Sequence, residues 1–124
     1  RDPVHAHASN DLAWILAERG QSLDSALSLA TRASEADPSA AVLDTLGWVH
    51  YRRGEHAEAI SAFERALALE ADAASISYRL GLSLVGSGDR ARAADVFRQA
   101  LATGPFPEAD AARAQLAQLE AGAS

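Results

Sequence analysis

The sequence predicts an all-α solenoid of three stacked helix pairs and a closing helix. Three observations carry that reading. Leu12, Leu46 and Leu80 recur at a period of 34 residues. Small residues keep the same beat, in the series Ala26, Ala59, Ala93 and Ala33, Ala66, Ala100. No stretch alternates apolar and polar residues as a half-buried strand would. A fixed period in this range marks supersecondary units that stack on their neighbours, because one helix pair cannot bury its apolar face alone.

The elements follow in order. In the first unit the turn falls at Gly20-Gln21-Ser22, where Ser22 is placed to cap the second helix. The unit closes at Asp37-Pro38. In the second unit a helix is expected from Ala40 to Arg53. Val42, Leu43, Leu46, Val49 and His50 share one face of it at 3/4 spacing. Gly54 ends it, and a partner helix runs from Glu55 to Leu69 with Ala59, Ile60, Phe63, Ala66 and Leu67 inward. The third unit repeats the scheme from Ser75 to Ser87. Gly88-Asp89 makes the turn, with Asp89 as cap, and the next helix carries Ala93, Val96, Phe97, Ala100 and Leu101. Pro107 is expected to open a last helix, with Glu108 and Asp110 in its first turn. That helix has a thin apolar stripe of Ala109, Ala112, Leu116 and Leu119, as a solvating cap should.

Composition narrows the function classes. The chain has 124 residues and a net charge of −6, with dispersed acids and no basic face, which argues against nucleic acid as a partner. Every basic residue is arginine, a bias that points to a GC-rich, bacterial genome. There is no cysteine, so disulfide and thiol chemistry are excluded. No apolar run approaches the roughly 20 residues of a membrane span, so no direct membrane insertion is expected. Thirty alanines inflate the 48% apolar content, so the seven aromatic and the branched residues must supply most of the burial.

No catalytic constellation and no cofactor site is legible. His5 and His7 form a His-x-His pair, too few ligands for a metal site. His50 and His56 read as packed or solvent-bridging side chains. Gly86-Ser87-Gly88 lacks the lysine and the strand-to-helix setting of a phosphate loop. Glu55 and Glu58 are ordinary acids near a helix start. The chain is read as no enzyme.

The repeated residues resemble the tetratricopeptide repeat family. The second unit carries the pattern best, with Leu46-Gly47, Tyr51, Gly54-Glu55, Ala59, Phe63 and Ala66-Leu67. The third has Leu80-Gly81, Gly88-Asp89, Ala93, Phe97, Ala100-Leu101 and Pro105. The first has Leu12-Ala13, Gly20, Ala26, Ala33 and Asp37-Pro38, with Ala30 where an aromatic belongs. The units are drawn at 6–39, 40–73 and 74–107. Residues 1–5 then read as the tail of a preceding repeat or a linker, and 108–124 as capping helix and tail. Small residues at Ala13, Gly47 and Gly81 are expected to face Ala26, Ala59 and Ala93 across close helix crossings.

The resemblance implies a right-handed superhelix whose first helices line a concave groove, and a protein or peptide partner held there. It places His7, Asn10, Asp11, Trp14 and Ala17 in the groove, then Asp44, Thr45, Trp48, Tyr51 and Arg52, then Ser75, Tyr78, Arg79, Leu82 and Val85. Of these, Asn10, Trp14, Asp44, Trp48, Tyr51, Arg52, Tyr78, Arg79 and Leu82 are the candidate partner-binding residues. Tryptophan, tyrosine and arginine are the types most enriched at binding hot spots. Two readings of Trp14 and Trp48 stay open, as ligand anchors or as packing between neighbouring helices. Relatives that clamp acidic chaperone tails use lysine, arginine and asparagine at groove positions that here hold tryptophan, aspartate and asparagine. That departure argues against chaperone-tail binding.

The resemblance implies a scaffold or adaptor, of a kind found in bacterial envelope and secretion assemblies. A self-association module, or a regulatory or localising domain of a larger enzyme, are the alternatives. Asp2-Pro3 mirrors Asp37-Pro38 and suggests a further upstream unit that would cover Leu12 and Leu16. Weak end-to-end self-association is expected from that edge.

Overall fold

The computed structural model describes residues 3–122, with side chains from His7 onward. It contains seven helices and, among these residues, no strand. They are α1 (Pro3–Arg19), α2 (Leu23–Ala36), α3 (Ala40–Arg52), α4 (His56–Leu69), α5 (Ala74–Ser87), α6 (Arg90–Ala102) and α7 (Ala109–Gly122). Each helix packs on the next in sequence, and α1, α3 and α5 also touch one another in turn. The odd helices therefore form one layer of the stack and the even helices the other, with α7 laid against α6. This is the all-α solenoid that the period predicts.

Glycines set the beat of the turns. Gly20, Gly54 and Gly88 follow α1, α3 and α5 with φ of 65°, 81° and 91°, a left-handed conformation that suits a residue without Cβ. Asp89 caps α6 as expected, its carboxylate accepting from the Arg92 amide at 3.3 Å. Ser39 caps α3 in the same way, accepting from Val42 N at 3.2 Å. Ser22 does not act as a cap. It sits at φ 50° in the left-handed region and its hydroxyl makes no cap hydrogen bond, because the longer first turn needs a second left-handed residue to close. The last helix also starts later than expected. Pro107 and Glu108 form a turn and α7 begins at Ala109, whose amide donates to the Phe106 carbonyl.

Two clusters fill the interior. The larger is built on Leu43, Phe63, Ile76, Leu80, Leu84, Val96, Phe97 and Leu119, joined by small alanines. The smaller holds Ala13, Ala17, Ala26 and Ala30 against Leu46, Val49 and Ala62. The glycines at the helix crossings leave room for rings. A Cβ at Gly47 would stand 2.7 Å from the Phe63 ring, and one at Gly81 would stand 2.5 Å from Phe97. Both rings are fully buried. Phe63 and Phe97 thus lie in the space the missing side chain leaves, and each contributes about 1.5–3 kcal/mol of burial.

Candidate functional site

The inner faces of α1, α3 and α5 carry the sequence-predicted site. Trp14 projects from α1 and Trp48 and Tyr51 from α3, all half-buried. The rings form a ladder. Trp14 stacks on Trp48 at 6.0 Å between centroids, and Trp48 stacks on Tyr51 at 5.0 Å with planes 14° apart. His56 continues it with a tilted contact to Tyr51 at 5.5 Å. Such pairs are worth about 0.5–1.5 kcal/mol beyond the area they bury. Trp48 also donates its indole N–H to Glu18 at 2.7 Å. Trp48 is therefore stacked on two rings and hydrogen-bonded, and its contacts join α1 to α3.

Beside the ladder lies an ionic network. Arg79 on α5 grips Asp44 on α3 with two parallel hydrogen bonds, Nε to Oδ1 at 2.7 Å and a terminal nitrogen to Oδ2 at 2.6 Å. Its other terminal nitrogen stands 3.5 Å from Glu108, and Glu108 accepts from the Ser75 hydroxyl at 2.6 Å. The guanidinium also lies 5.0 Å from the centroid of the Trp14 ring, a cation–π contact. Both ends of the Asp44–Arg79 pair are largely withdrawn from water. Burial pushes the Asp44 carboxyl above its ordinary value, against the opposing pull of Arg79. Burial likewise raises the Tyr78 hydroxyl, with smaller contributions from Tyr51 and Glu108.

The predicted positions divide. Asn10, Trp14, Asp44 and Arg79 come together around one open cavity of about 630 Å³, with Asp11, Ile15, Ser75 and Glu108 completing its wall. Trp48 and Tyr78 meet Trp14 around a smaller adjoining one of about 210 Å³. Tyr78 also leans on Phe97 at 5.9 Å. Leu82 and Val85 are partly buried against the larger core, and Tyr51 lies deeper in the ladder. Ala17 is fully buried in the smaller core and does not face the groove. Arg52 is exposed, but its Nε donates to the Ala17 carbonyl at 3.0 Å, beside the Gly20 amide at 3.1 Å, so two donors share one acceptor at the end of α1. His7 is exposed, and the side chain of His5 lies outside the described residues. Among the described residues no group of three or more His, Asp or Glu is placed to hold a metal.

Four participants, Ile15, Glu18, His56 and Glu108, are not among the sequence-predicted site residues. A signal for Glu108 existed. Contacts between successive units join residues about one repeat apart: Trp14 to Trp48, Asp44 to Arg79, Ala17 to Arg52, and Ser75 to Glu108 at 33 positions. Pairing each groove residue with its neighbour one period on finds Glu108 from Ser75.

The fold and its groove define a class, a short α-helical repeat superhelix with an open inner face. The profile of the tetratricopeptide repeat matches residues 45–106 and 78–123, so the chain belongs to that family. Solved structures agree in fold. The second TPR domain of the human RPAP3 protein, in complex with the HSP70 peptide SGPTIEEVD, is 19% identical with a TM-score of 0.83, over 96% of this chain and 98% of that one. The first TPR of Spaghetti (RPAP3), bound to the HSP90 peptide SRMEEVD, is 21% identical with a TM-score of 0.86, over 99% of this chain and 97% of that one. No curated protein sequence matches the chain.

Proposed function

We propose that the chain is a protein–protein interaction module that holds a peptide or helix of a partner in its inner groove. The observation that carries this is the open cavity of about 630 Å³, floored by Trp14 and walled by polar groups from three successive units. A concave site with an aromatic anchor and a few placed polar groups is what peptide recognition uses. The fold neighbours described above hold peptides, which supports the same use of the surface here. Those peptides end in acidic residues. Here Arg79 is already engaged by Asp44 and Glu108, so we propose that acidic chaperone tails are not the ligand. The net charge of −6 supports a partner other than nucleic acid. No described helix is long and apolar enough to cross a membrane. The exclusive use of arginine supports a bacterial source, and an envelope or secretion assembly is the setting we propose.

Self-association is the second reading, and one observation favours it. Leu12 and Ile15 on α1 are 47% and 44% exposed. Light scattering over a concentration series checks it, and a constant molar mass counts against it.

Selection from a displayed peptide library on the immobilised chain tests the groove. Selected peptides should lose binding on Trp14→Ala and Asn10→Ala, and keep it on Glu35→Gln, which changes an exposed acid on α2. Peptides indifferent to both groove changes would remove the site from the account.

A further inference from the structure

We infer that the partner segment is basic, an extended or helical peptide carrying arginine or lysine between apolar side chains. This rests on the groove reading above and specifies its ligand. The first ground is charge. The walls of the two adjoining cavities bring in Asp11, Glu18, Asp44 and Glu108 against a single cation, Arg79. That cation is fully engaged, with two nitrogens on Asp44 and the third facing Glu108. Among the described residues, the walls of these two cavities therefore offer a ligand a surplus of negative charge and no free positive group.

The second ground is hydrogen-bonding capacity. The Asn10 side-chain carbonyl oxygen lies at the cavity wall, buried and without a partner among the described residues. Asp11 beside it is an exposed carboxylate on the same wall. Both are acceptors, and what they lack is a donor. Lysine and arginine side chains are donors only.

The third ground is Arg79 itself. Its guanidinium sits over Trp14 at 5.0 Å with carboxylates on two sides. The chain thus shows, with its own residue, that this surface stabilises a guanidinium by ring and carboxylate together. Ile15, exposed on the same wall, gives the neighbouring apolar side chain of a ligand a place to rest.

The test uses three short capped peptides that differ only at alternate positions, leucine with arginine, leucine with glutamine, and leucine with glutamate. Affinities are measured by calorimetry at low and at moderate salt. At low salt the arginine peptide should bind roughly tenfold or more tighter than the glutamine peptide, with most of the difference lost at moderate salt. The glutamate peptide should bind weakest. Asp11→Asn should reduce the arginine preference severalfold, while Glu35→Gln, equal in charge change but remote on α2, should leave it alone. Equal binding of the arginine and glutamine peptides, both lost on Trp14→Ala, would overturn the basic ligand and leave the groove reading standing. Binding unaffected by Trp14→Ala would overturn both. A preference that falls equally with Asp11→Asn and Glu35→Gln would reduce the effect to net charge and overturn the inference.

Discussion

The first helix pair and the two that follow are built on different principles. In the second and third, a glycine on the odd helix makes room for a phenylalanine on the even one: Gly47 for Phe63 and Gly81 for Phe97. In the first, the equivalent positions hold Ala13 and Ala30, both fully buried. Alanine brings one methyl group where phenylalanine brings a ring. At about 0.8 kcal/mol per buried carbon, the first pair forms with far less core of its own. What it lacks there it takes from α3. Trp14 stacks on Trp48, Glu18 accepts from the Trp48 indole, and Arg52 bonds the Ala17 carbonyl. The residues that shape the groove floor also fasten α1 to the stack. Site and stability are therefore coupled at the N-terminal unit and more separate at the C-terminal ones.

The largest expected effect breaks the stronger pattern. Phe97→Ala should cost about 3–5 kcal/mol in denaturant unfolding, since the ring is fully buried. Ala30→Gly at the equivalent site of the first pair should cost only about 1 kcal/mol, the helix-interior penalty of glycine. Equal losses would erase the distinction.

Next comes the ionic pair that joins α3 to α5. Asp44→Ala should cost about 3 kcal/mol, the lower part of the range for breaking a buried pair, because two Arg79 nitrogens lose their acceptors while Glu108 keeps the guanidinium partly neutralised. The sign of its pH dependence is set by burial. The folded-state carboxyl titrates above the ordinary 3.8, so the folded chain binds the proton more readily than the unfolded one. The contribution of this group to stability is full below the ordinary value and falls as pH rises through the raised one. A carbon-detected NMR titration of Asp44 should give a midpoint above 3.8, and a midpoint at or below it would contradict the dominance of desolvation.

A smaller effect sharpens the comparison by exchanging the two designs. Ala30→Phe alone should overpack the first pair and cost about 1–3 kcal/mol. Ala13→Gly added to it should restore most of that loss, because the glycine supplies the space that Gly47 gives Phe63. If the double variant is no better than the single one, glycine and ring are not a matched unit. Smallest of all, Arg52→Ala should cost at most about 1 kcal/mol, the net worth of one hydrogen bond, because the Ala17 carbonyl keeps the Gly20 amide.

How much of this was legible follows from what a period can encode. The helix order, the glycine turns and the Asp89 cap are local features, and local spacing showed them. The left-handed Ser22 was not visible, since its backbone is set by how the longer first turn closes over α2. Ala17 was misplaced because family positions describe a face of a helix. Which side of that face is buried depends on the side chains opposite, and here Ala26 and Ala30 let α2 come close. Asp44 and Arg79 were both named as site residues, but as separate contacts for a ligand. Their mutual pairing appears only when one repeat is laid on the next, and it changes what the groove can bind.

The claim that the groove face couples the first pair to the rest of the stack has a direct test. Native-state hydrogen exchange, resolved by helix, should be compared between the parent chain and Trp48→Ala. In the parent, amides of α1 and α2 should open at lower free energy than those of α5 and α6. In the variant, α1 and α2 should lose most of their remaining protection while α5 and α6 keep theirs. Uniform protection in the parent, or a loss in the variant spread evenly over all helices, would contradict the account.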